Sequence, residues 1–221
     1  MKKTIVAIDG PAAAGKSTIA KRVAKKLGFT YVDTGAMYRA YTYYVLQHGI
    51  DPKDEKACVA VIPLVDIELK PNDIVLCNGE DVTKQIRAND VSRNVSFIAS
   101  YKDIRLALVE AQRKLANNVS CVMDGRDIGT YVLPNADVKI YQVASVEARA
   151  ERRYLENKDK GIPCTIEELK KDIDTRDYID SNRDFAPLRK AEDAIYLDTS
   201  NMSIDEVVDK VLAIIEEKAG K

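Results

Sequence analysis

TIVAIDGPAAAGKS, residues 4–17, joins an apolar run to a glycine-rich turn, and an alternating apolar stretch, residues 18–27, follows it. The turn has the pattern G-x-x-x-x-G-K-[ST], with a strand predicted before it and a helix after it, as that pattern requires. Glycines let several backbone N–H groups point into such a turn, and the helix adds its positive N-terminal end, so phosphate groups can bind there. We therefore predict a P-loop that holds a nucleoside triphosphate.

Two side chains of this loop have predicted roles of their own. Lys16 places a mobile positive charge beside the outer phosphates, and the Ser17 hydroxyl is a predicted ligand of Mg²⁺. The predicted triphosphate-binding residues are Gly10, Pro11, Ala12, Ala13, Ala14, Gly15, Lys16, Ser17 and Thr18. The alternative is a ligand-free turn of small residues, which is weaker because the pattern and its context agree.

Composition limits the possible partners. The chain has 221 residues, of which 46% are hydrophobic and 31% charged, as expected of one α/β domain over residues 1–221. A net charge of −1 argues against a duplex nucleic acid partner, which usually requires a basic surface. No apolar run has the length of a membrane span, so we expect no membrane partner and a cytoplasmic, monomeric protein. A single histidine, His48, gives little support to hydrolysis by a Ser-His-Asp or Cys-His site.

Apolar strand-like runs alternate with helical patterns along the chain, which predicts a doubly wound parallel sheet with helices on both faces. The predicted strands lie at residues 5–8, 31–32, 121–123, 138–143 and 195–197. Capping boxes at Thr165-Ile-Glu-Glu168 and Ser203-Ile-Asp-Glu206 predict two helix starts. The predicted fold class is α/β.

Two segments interrupt the alternation. Residues 65–82 contain Asn78-Gly79, a strong hairpin signal, and predict a small antiparallel insert within residues 63–100. Residues 148–188 are charged and helical around a central glycine and proline, and predict a helical lid. Because the arginines of this lid would repel one another without phosphate, we expect it to close only when both nucleotides are bound.

Charged residues follow two of the predicted strand ends. Arg39 comes after Asp33-Thr34-Gly35, and Arg126 comes after Asp124-Gly125. Ligands of open α/β sheets bind outside the carboxyl ends of the strands, so both arginines should meet the loop in one cleft, which implies an anionic acceptor. Asp124 stands where a Walker B carboxylate would, and we predict that it binds Mg²⁺ with Ser17; a turn-capping role is the alternative.

Two sets of lid residues each share a helix face: Arg149, Arg152 and Arg153, and Arg176, Asp180 and Arg183. A solvated ion-pair face is the ordinary explanation of such sets. Arginines on a closing lid would instead stabilise phosphoryl transfer and exclude water from it.

Five stretches together resemble the bacterial-type cytidylate kinases of the nucleoside monophosphate kinase group, over nearly the whole chain. They are IDGPAAAGKST (8–18), VDTGAMYR (32–39), NGEDVT (78–83), VMDGRDIGT (122–130) and DSNRDFAPL (180–188). The resemblance implies phosphoryl transfer from ATP to CMP or dCMP with Mg²⁺, and a core with a monophosphate-binding insert and a lid. Ala13 and Ala14 stand where many relatives have glycine.

The resemblance also implies residue roles. Arg39 and Arg126 would bind the acceptor phosphate, Arg176 and Asp180 would face the sugar, and Arg183 would lie near the acceptor. Cytosine would be contacted by Ser96, Arg105 and Asp127; alternatively, Asp127 only orients Arg126 or Arg105 through an ion pair. The implied substrate-binding set is Thr34, Arg39, Ser96, Arg105, Arg126, Asp127, Arg176, Asp180 and Arg183, and the implied catalytic set is Lys16, Arg126, Arg152 and Arg153.

Two other functions remain open to the sequence. One is a P-loop kinase with a hydroxyl acceptor, which would need a base for the hydroxyl proton and would leave the strand-end arginines harder to explain. The other is a non-catalytic switch in which ATP only changes the shape of the protein.

Overall fold

The structure is a computed structural model that describes residues 3–117, 119–159 and 161–220. Its strands are β1 (Ile5–Asp9), β2 (Thr30–Asp33), β3 (Ile67–Lys70), β4 (Ile74–Cys77), β5 (Glu80–Asp81), β6 (Cys121–Gly125), β7 (Val138–Val143) and β8 (Ile195–Asp198). Its α-helices are α1 (Lys16–Leu27), α2 (Thr34–Gln47), α3 (Glu55–Ala60), α4 (Asn89–Ile98), α5 (Lys102–Ala116), α6 (Val146–Asp159), α7 (Ile166–Asn182) and α8 (Ile204–Ala219). A π-helical turn, Ile128–Val132, follows β6.

Five strands form a parallel sheet in the order β2-β6-β1-β7-β8. The central strand β1 is buried almost throughout, as expected of a parallel strand covered on both faces. Helices α1 and α8 pack on one face against Val6 and Ile8, while α5 and the π-helical turn pack on the other against Ala7 and Met123. The predicted doubly wound α/β fold is confirmed.

The second sheet is the predicted antiparallel insert. Its strands have the order β3-β4-β5, and it packs against α2 through Val75 and Cys77. Asn78 and Gly79 connect β4 to β5 with φ angles of 50° and 82°, which is the backbone that an Asn-Gly hairpin turn adopts.

Helices α6 and α7 form a pair with a small apolar core of its own, centred on Ala150, Leu169 and Ile173. Both predicted capping boxes are present, and they begin α7 at Thr165 and α8 at Ser203. None of the helices in the described ranges is long and apolar enough to cross a membrane.

The sheet places three strand ends at one edge. Asp9 at the end of β1 lies level with Gly125 of β6, and Asp33 of β2 lies level with Asp124. The loop that follows β1 therefore faces the charged residues that follow β2 and β6.

Candidate active site

The glycine-rich loop between β1 and α1 is shaped by close contact with β7. Gly10 has φ +153°, and a Cβ atom there would lie 1.9 Å from the carbonyl oxygen of Gln142. Ala13 has φ 57°, in the left-handed region, which costs an alanine roughly 1–2 kcal/mol. Contacts from outside the loop must offset that strain.

Three carbonyl groups of the loop accept hydrogen bonds from side chains. Lys16 Nζ donates to the Pro11 oxygen at 2.7 Å, Arg149 Nη1 to the Ala12 oxygen at 2.8 Å, and Gln142 Nε2 to the Ala14 oxygen at 2.7 Å. Burial lowers the pKa of Lys16 to about 7, and the nearby charge of Arg126 acts in the same direction. A buried ammonium group that is desolvated and close to another positive charge favours binding of an anionic ligand.

A hydroxyl and a carboxylate meet at the start of α1. Ser17 Oγ donates to Asp124 Oδ2 at 2.9 Å, and the Tyr31 hydroxyl donates to Asp124 Oδ1 at 2.7 Å. Burial, and then the charge of Asp33, raise the pKa of Asp124 to about 6. Thr34 Oγ1 donates to the main-chain oxygen of Asp124 at 2.7 Å, so the Thr34 hydroxyl holds this strand end in place.

The Ser17 and Asp124 oxygens fit Mg²⁺, which prefers oxygen ligands and keeps several waters. Within the described ranges, no group of three or more His, Cys, Asp or Glu residues could hold a metal ion. Mg²⁺ at this site would therefore be held by one hydroxyl, one carboxylate and the substrate phosphates, since Mg²⁺ is usually bound by one or two carboxylates together with phosphates.

A buried ion-pair network lies beyond the end of β6. Asp127 pairs with Arg105 Nη2 at 2.5 Å and with Arg183 Nη2 at 3.5 Å. Both arginines also donate to the main-chain oxygen of Ala99, at the end of the helix that carries Ser96. Arg105, Asp127 and Arg183 meet in this network, and all three are less than a tenth exposed, as is Ser96. The roles of these four residues toward the acceptor stay predictions.

Positive charges collect between this network and the loop. Arg126 Nε pairs with Asp180 at 2.8 Å, and Arg39 Nη1 donates to Ser92 Oγ at 2.8 Å. Burial lowers the pKa of Arg39, with the charge of Arg176 as the next cause. The Nε atom of Arg176 is buried and has no hydrogen-bond partner in the described part of the chain. Arginines that repel one another in a cleft favour anionic ligands.

The two predicted catalytic arginines of α6, Arg152 and Arg153, contact different parts of the chain. Arg153 lies close enough to Arg39 and Arg176 to affect their pKa, and it pairs with Glu156 at 3.2 Å. Arg152 instead donates to the carbonyl oxygen of Thr199, after β8. Arg153 is therefore near enough to Arg39 and Arg176 to act on their charge, whereas Arg152 contacts the chain after β8. The catalytic roles of both residues stay predictions.

Helix α7 lies directly against the loop. Asp177 Oδ1 accepts a hydrogen bond from the Ala12 N–H at 2.9 Å, and its other oxygen pairs with Arg149. The lid arginine Arg149 is thus neutralised without phosphate, and α7 contacts the core in this structure. That the lid closes only when both nucleotides are bound stays a prediction.

Sequence reasoning did not assign a role to several residues of the site. Asp9 accepts hydrogen bonds from the N–H groups of Ile128 and Gly129 at 2.8 and 2.7 Å, and so joins the loop to the turn after β6. A carboxylate at the end of an apolar strand, as at Asp9, can be recognised in the sequence as a candidate site residue. The same is true of a glutamine within an apolar strand, as at Gln142. Nothing in the sequence distinguishes Asp177 from the other acidic residues of α7.

Comparison with known proteins identifies the family. The family model described as cytidylate kinase matches residues 6–217. A cytidylate kinase of Anoxybacillus flavithermus is 55% identical over 220 residues, covering 98% of each chain. One of Oceanobacillus iheyensis is 57% identical over 214 residues, covering 96% of this chain and 93% of that relative. A solved gluconokinase of Sinorhizobium meliloti 1021 shares the fold, with a TM-score of 0.51 at 13% identity over 99% of this chain and 94% of that chain. This chain belongs to the cytidylate kinase family.

Proposed function

We propose that this protein transfers the γ-phosphoryl group of ATP to CMP or dCMP, giving ADP and CDP or dCDP. The observation that carries the proposal is the meeting of a P-loop with an arginine-rich cleft. Lys16 of the loop and Arg126 of the cleft lie close enough for the charge of Arg126 to lower the pKa of Lys16. Two anions that bind there would have their phosphates side by side.

On the donor side, the backbone N–H groups of residues 10–18 and the Lys16 ammonium would bind the triphosphate of ATP. Ser17 and Asp124 would hold Mg²⁺, which when bound neutralises charge on the outer phosphates. Tyr31 supports this role, because it holds the second carboxylate oxygen of Asp124. The position of Arg153 supports its predicted role at the transferred group, whereas that of Arg152 does not.

On the acceptor side, Arg39 and Arg126 would bind the monophosphate, and Arg176 and Asp180 would face the sugar. Ser96, Arg105 and Asp127 would read the base, with Arg183 fixing Asp127 from the other side. An oxygen of the monophosphate is already an anion at neutral pH, so the reaction needs no general base. The role of Thr34 in substrate binding stays a prediction.

We further propose that residues 63–100 form the monophosphate-binding insert and residues 148–188 the lid of one domain. Contacts of α7 with α4 and with the P-loop support a lid that covers both substrates and excludes water during transfer. We place the enzyme in the cytoplasm, acting on small nucleotides as a monomer.

Acceptor profiling tests the proposed reaction. Production of ADP from ATP and Mg²⁺ is followed with CMP, dCMP, UMP, AMP or a shikimate-like alcohol in separate assays. We expect CMP and dCMP to stimulate ADP formation most. Stimulation by the alcohol alone would favour a hydroxyl-acceptor kinase, and no stimulation by any acceptor would favour a switch.

Base recognition gives a sharper test. The Asp127 carboxylate can accept from the exocyclic amine of cytosine, whereas uracil has a carbonyl there, so we expect CMP to be preferred over UMP by roughly tenfold to a few hundredfold in kcat/KM. Asp127→Asn should narrow this ratio, because an amide can turn its NH₂ group toward uracil.

The ratio of kcat/KM for CMP and UMP is the appropriate measurement, since it does not depend on the fraction of folded enzyme. Asp127→Asn also leaves Arg105 and Arg183 with less countercharge, so some loss of stability is expected. Asp184→Asn is the control, because Asp184 is exposed and follows Arg183 directly in the sequence. An unchanged CMP to UMP ratio in the Asp127 variant would mean that Asp127 only orients the arginines.

A further inference from the structure

Gln142 is an unusual residue for its position. It occupies the third inward-facing position of β7, after Val138 and Ile140, on the face of the sheet that α1 and α8 cover. Only 1% of its surface is exposed. Burial of an amide in such a place is unfavourable unless its polar atoms are hydrogen-bonded.

Only one of the two polar groups of the Gln142 amide has a hydrogen-bond partner among the residues that the structure describes. Nε2 donates to the carbonyl oxygen of Ala14 at 2.7 Å, and Oε1 is buried without a partner among the residues that the structure describes. Only the NH₂ group can face a carbonyl oxygen, so the contact fixes the orientation of the amide. Stability alone does not explain this residue, because an apolar side chain would only exchange one unpaired buried acceptor, Oε1 of Gln142, for another, the carbonyl oxygen of Ala14.

The contact has a direct effect on the phosphate-binding loop. The peptide bond between Ala14 and Gly15 is trans, so its C=O and N–H groups point in opposite directions. When Gln142 draws the Ala14 carbonyl toward β7, the Gly15 N–H is turned away from β7 and into the loop. That N–H is one of the groups available to bind phosphate.

The main chain of Gln142 contacts the other end of the same loop. Its carbonyl oxygen is the atom that leaves no space for a side chain on Gly10. Gln142 thus contacts the loop near its first and second glycines, and it does so from β7, a strand with a neighbour on each side in the sheet. Arg149, which holds the Ala12 carbonyl, lies on α6 and would move with the lid.

We propose that Gln142 is a positioning residue that presets the P-loop for the polyphosphate of the donor nucleotide. Its amide would keep the Gly15 N–H directed at the phosphates before any ligand arrives, and the rigid sheet would keep the amide in place. The proposal rests on the assignment of the loop as the ATP site under the proposed function.

Gln142→Leu tests the proposal, because leucine fills a similar volume and has no donor. We expect the Kd values of ATP and of inorganic tripolyphosphate, measured by titration calorimetry, to rise by the same factor, about three- to tenfold. The Kd of CMP should be unchanged. The midpoint of thermal unfolding should change little, because the variant exchanges the unpaired Oε1 for an unpaired Ala14 carbonyl oxygen and no longer buries an amide. Ile140→Val, at the preceding inward-facing position of the same strand, is the matched control and should leave all three Kd values unchanged.

Gln142→Glu supplies a readout that a purely structural role would not give. An ionised carboxylate repels the Ala14 carbonyl, whereas the protonated acid can donate to it. Burial raises the pKa of such a glutamate, so the affinity of this variant for tripolyphosphate, divided by that of the wild type at each pH, should recover as the pH falls. Division by the wild-type value at the same pH removes the contribution of Lys16 and Asp9 near the loop, whose pKa values both lie at about 7.

The outcomes are distinguishable. Wild-type protein that binds neither ATP nor tripolyphosphate would overturn the proposed function. Wild-type binding with equal affinity in Gln142→Leu would overturn only the role of Gln142. Equal weakening of CMP and ATP would also overturn that role, since it would indicate general damage to the fold.

Discussion

Lys16 is buried, and Arg126 lies near it. Burial and the positive charge of Arg126 both destabilise the charged form of Lys16 in the absence of a ligand. Lys16→Met should therefore leave the thermal stability of the protein unchanged or higher, because the apolar stem is kept and a strained charge is removed. Turnover should fall by roughly 10³ or more, since the charge that stabilises the transferred group is lost. Steady-state kinetics, with circular dichroism as the check on folding, gives the answer. Turnover near that of the wild type in a folded variant would contradict the assignment of the loop.

Asp9 gives the protein a predictable response to pH. Burial raises its pKa from the ordinary value of 3.8 to about 7. Between about pH 4 and pH 7 the folded protein thus holds a proton on Asp9 that the unfolded chain has released, so this residue lowers the stability of the fold as the pH rises through that range.

Asp9→Asn removes that dependence, although the amide accepts only one of the two backbone N–H groups well. We expect the free energy of unfolding of the variant, relative to that of the wild type, to increase as the pH is raised from 4 to 7. Urea unfolding at several pH values measures it. Asp81→Asn serves as the control, because hydrogen bonds from Thr83 lower the pKa of that exposed residue. A difference that does not vary with pH would mean that Asp9 is ionised throughout.

Individual site residues differ in how far the sequence predicts them. The P-loop residues and Asp124 could be located because a motif or a strand end marks them, and the structure joins Ser17 to Asp124 directly. The catalytic role of Arg152 stays a prediction, because a helical repeat shows which residues share a face and not what that face contacts. Gln142 and Asp177 act on the main chain of a distant loop, and no local pattern encodes such contacts.

Helix α7 and the P-loop form a contact that can be tested without substrates. Asp177→Asn keeps an oxygen for the Ala12 N–H but loses the charge that pairs with Arg149. We expect faster hydrogen exchange in α6 and α7 of the ligand-free variant, and protection again when an ATP analogue and CMP are added. Asp174→Asn, at an exposed position of the same helix, is the control. Rapid exchange of both helices already in the wild type would mean that the contact does not hold the lid.

Helices and hairpins with local signals are the elements that the sequence predicts best. Asn78-Gly79 and both capping boxes are short-range features, and all of them are present in the structure. Strands β1, β2, β6 and β8 extend one or two residues beyond their predicted ends, because polar residues such as Asp9 keep the sheet pairing when their side chains find buried partners. The strand order depends on contacts between distant segments, so no local pattern could give it.

Ligand binding should stabilise the folded molecule by an amount that rises with the logarithm of the free ligand concentration above Kd. A donor analogue at 100 times its Kd is expected to add about 2.7 kcal/mol to the free energy of unfolding. The chain has no tryptophan and 11 tyrosines, so far-UV circular dichroism and tyrosine fluorescence can follow urea unfolding together. Coincident transitions would support one domain over residues 1–221, and a separate early transition that ATP does not shift would contradict it.

The position of β1 in the middle of the sheet has a consequence for how the chain is made. Its two neighbours are β6 and β7, and Ile5 pairs with Cys121 while Val6 pairs with Val138. During synthesis, β1 leaves the ribosome well before β6, which begins at Cys121, so neither of its partners exists until long after β1 has been made. The phosphate-binding loop is thus synthesised long before it can take up its folded position. The apolar strand β1 stays exposed in the interval, when binding by a chaperone would protect it from aggregation.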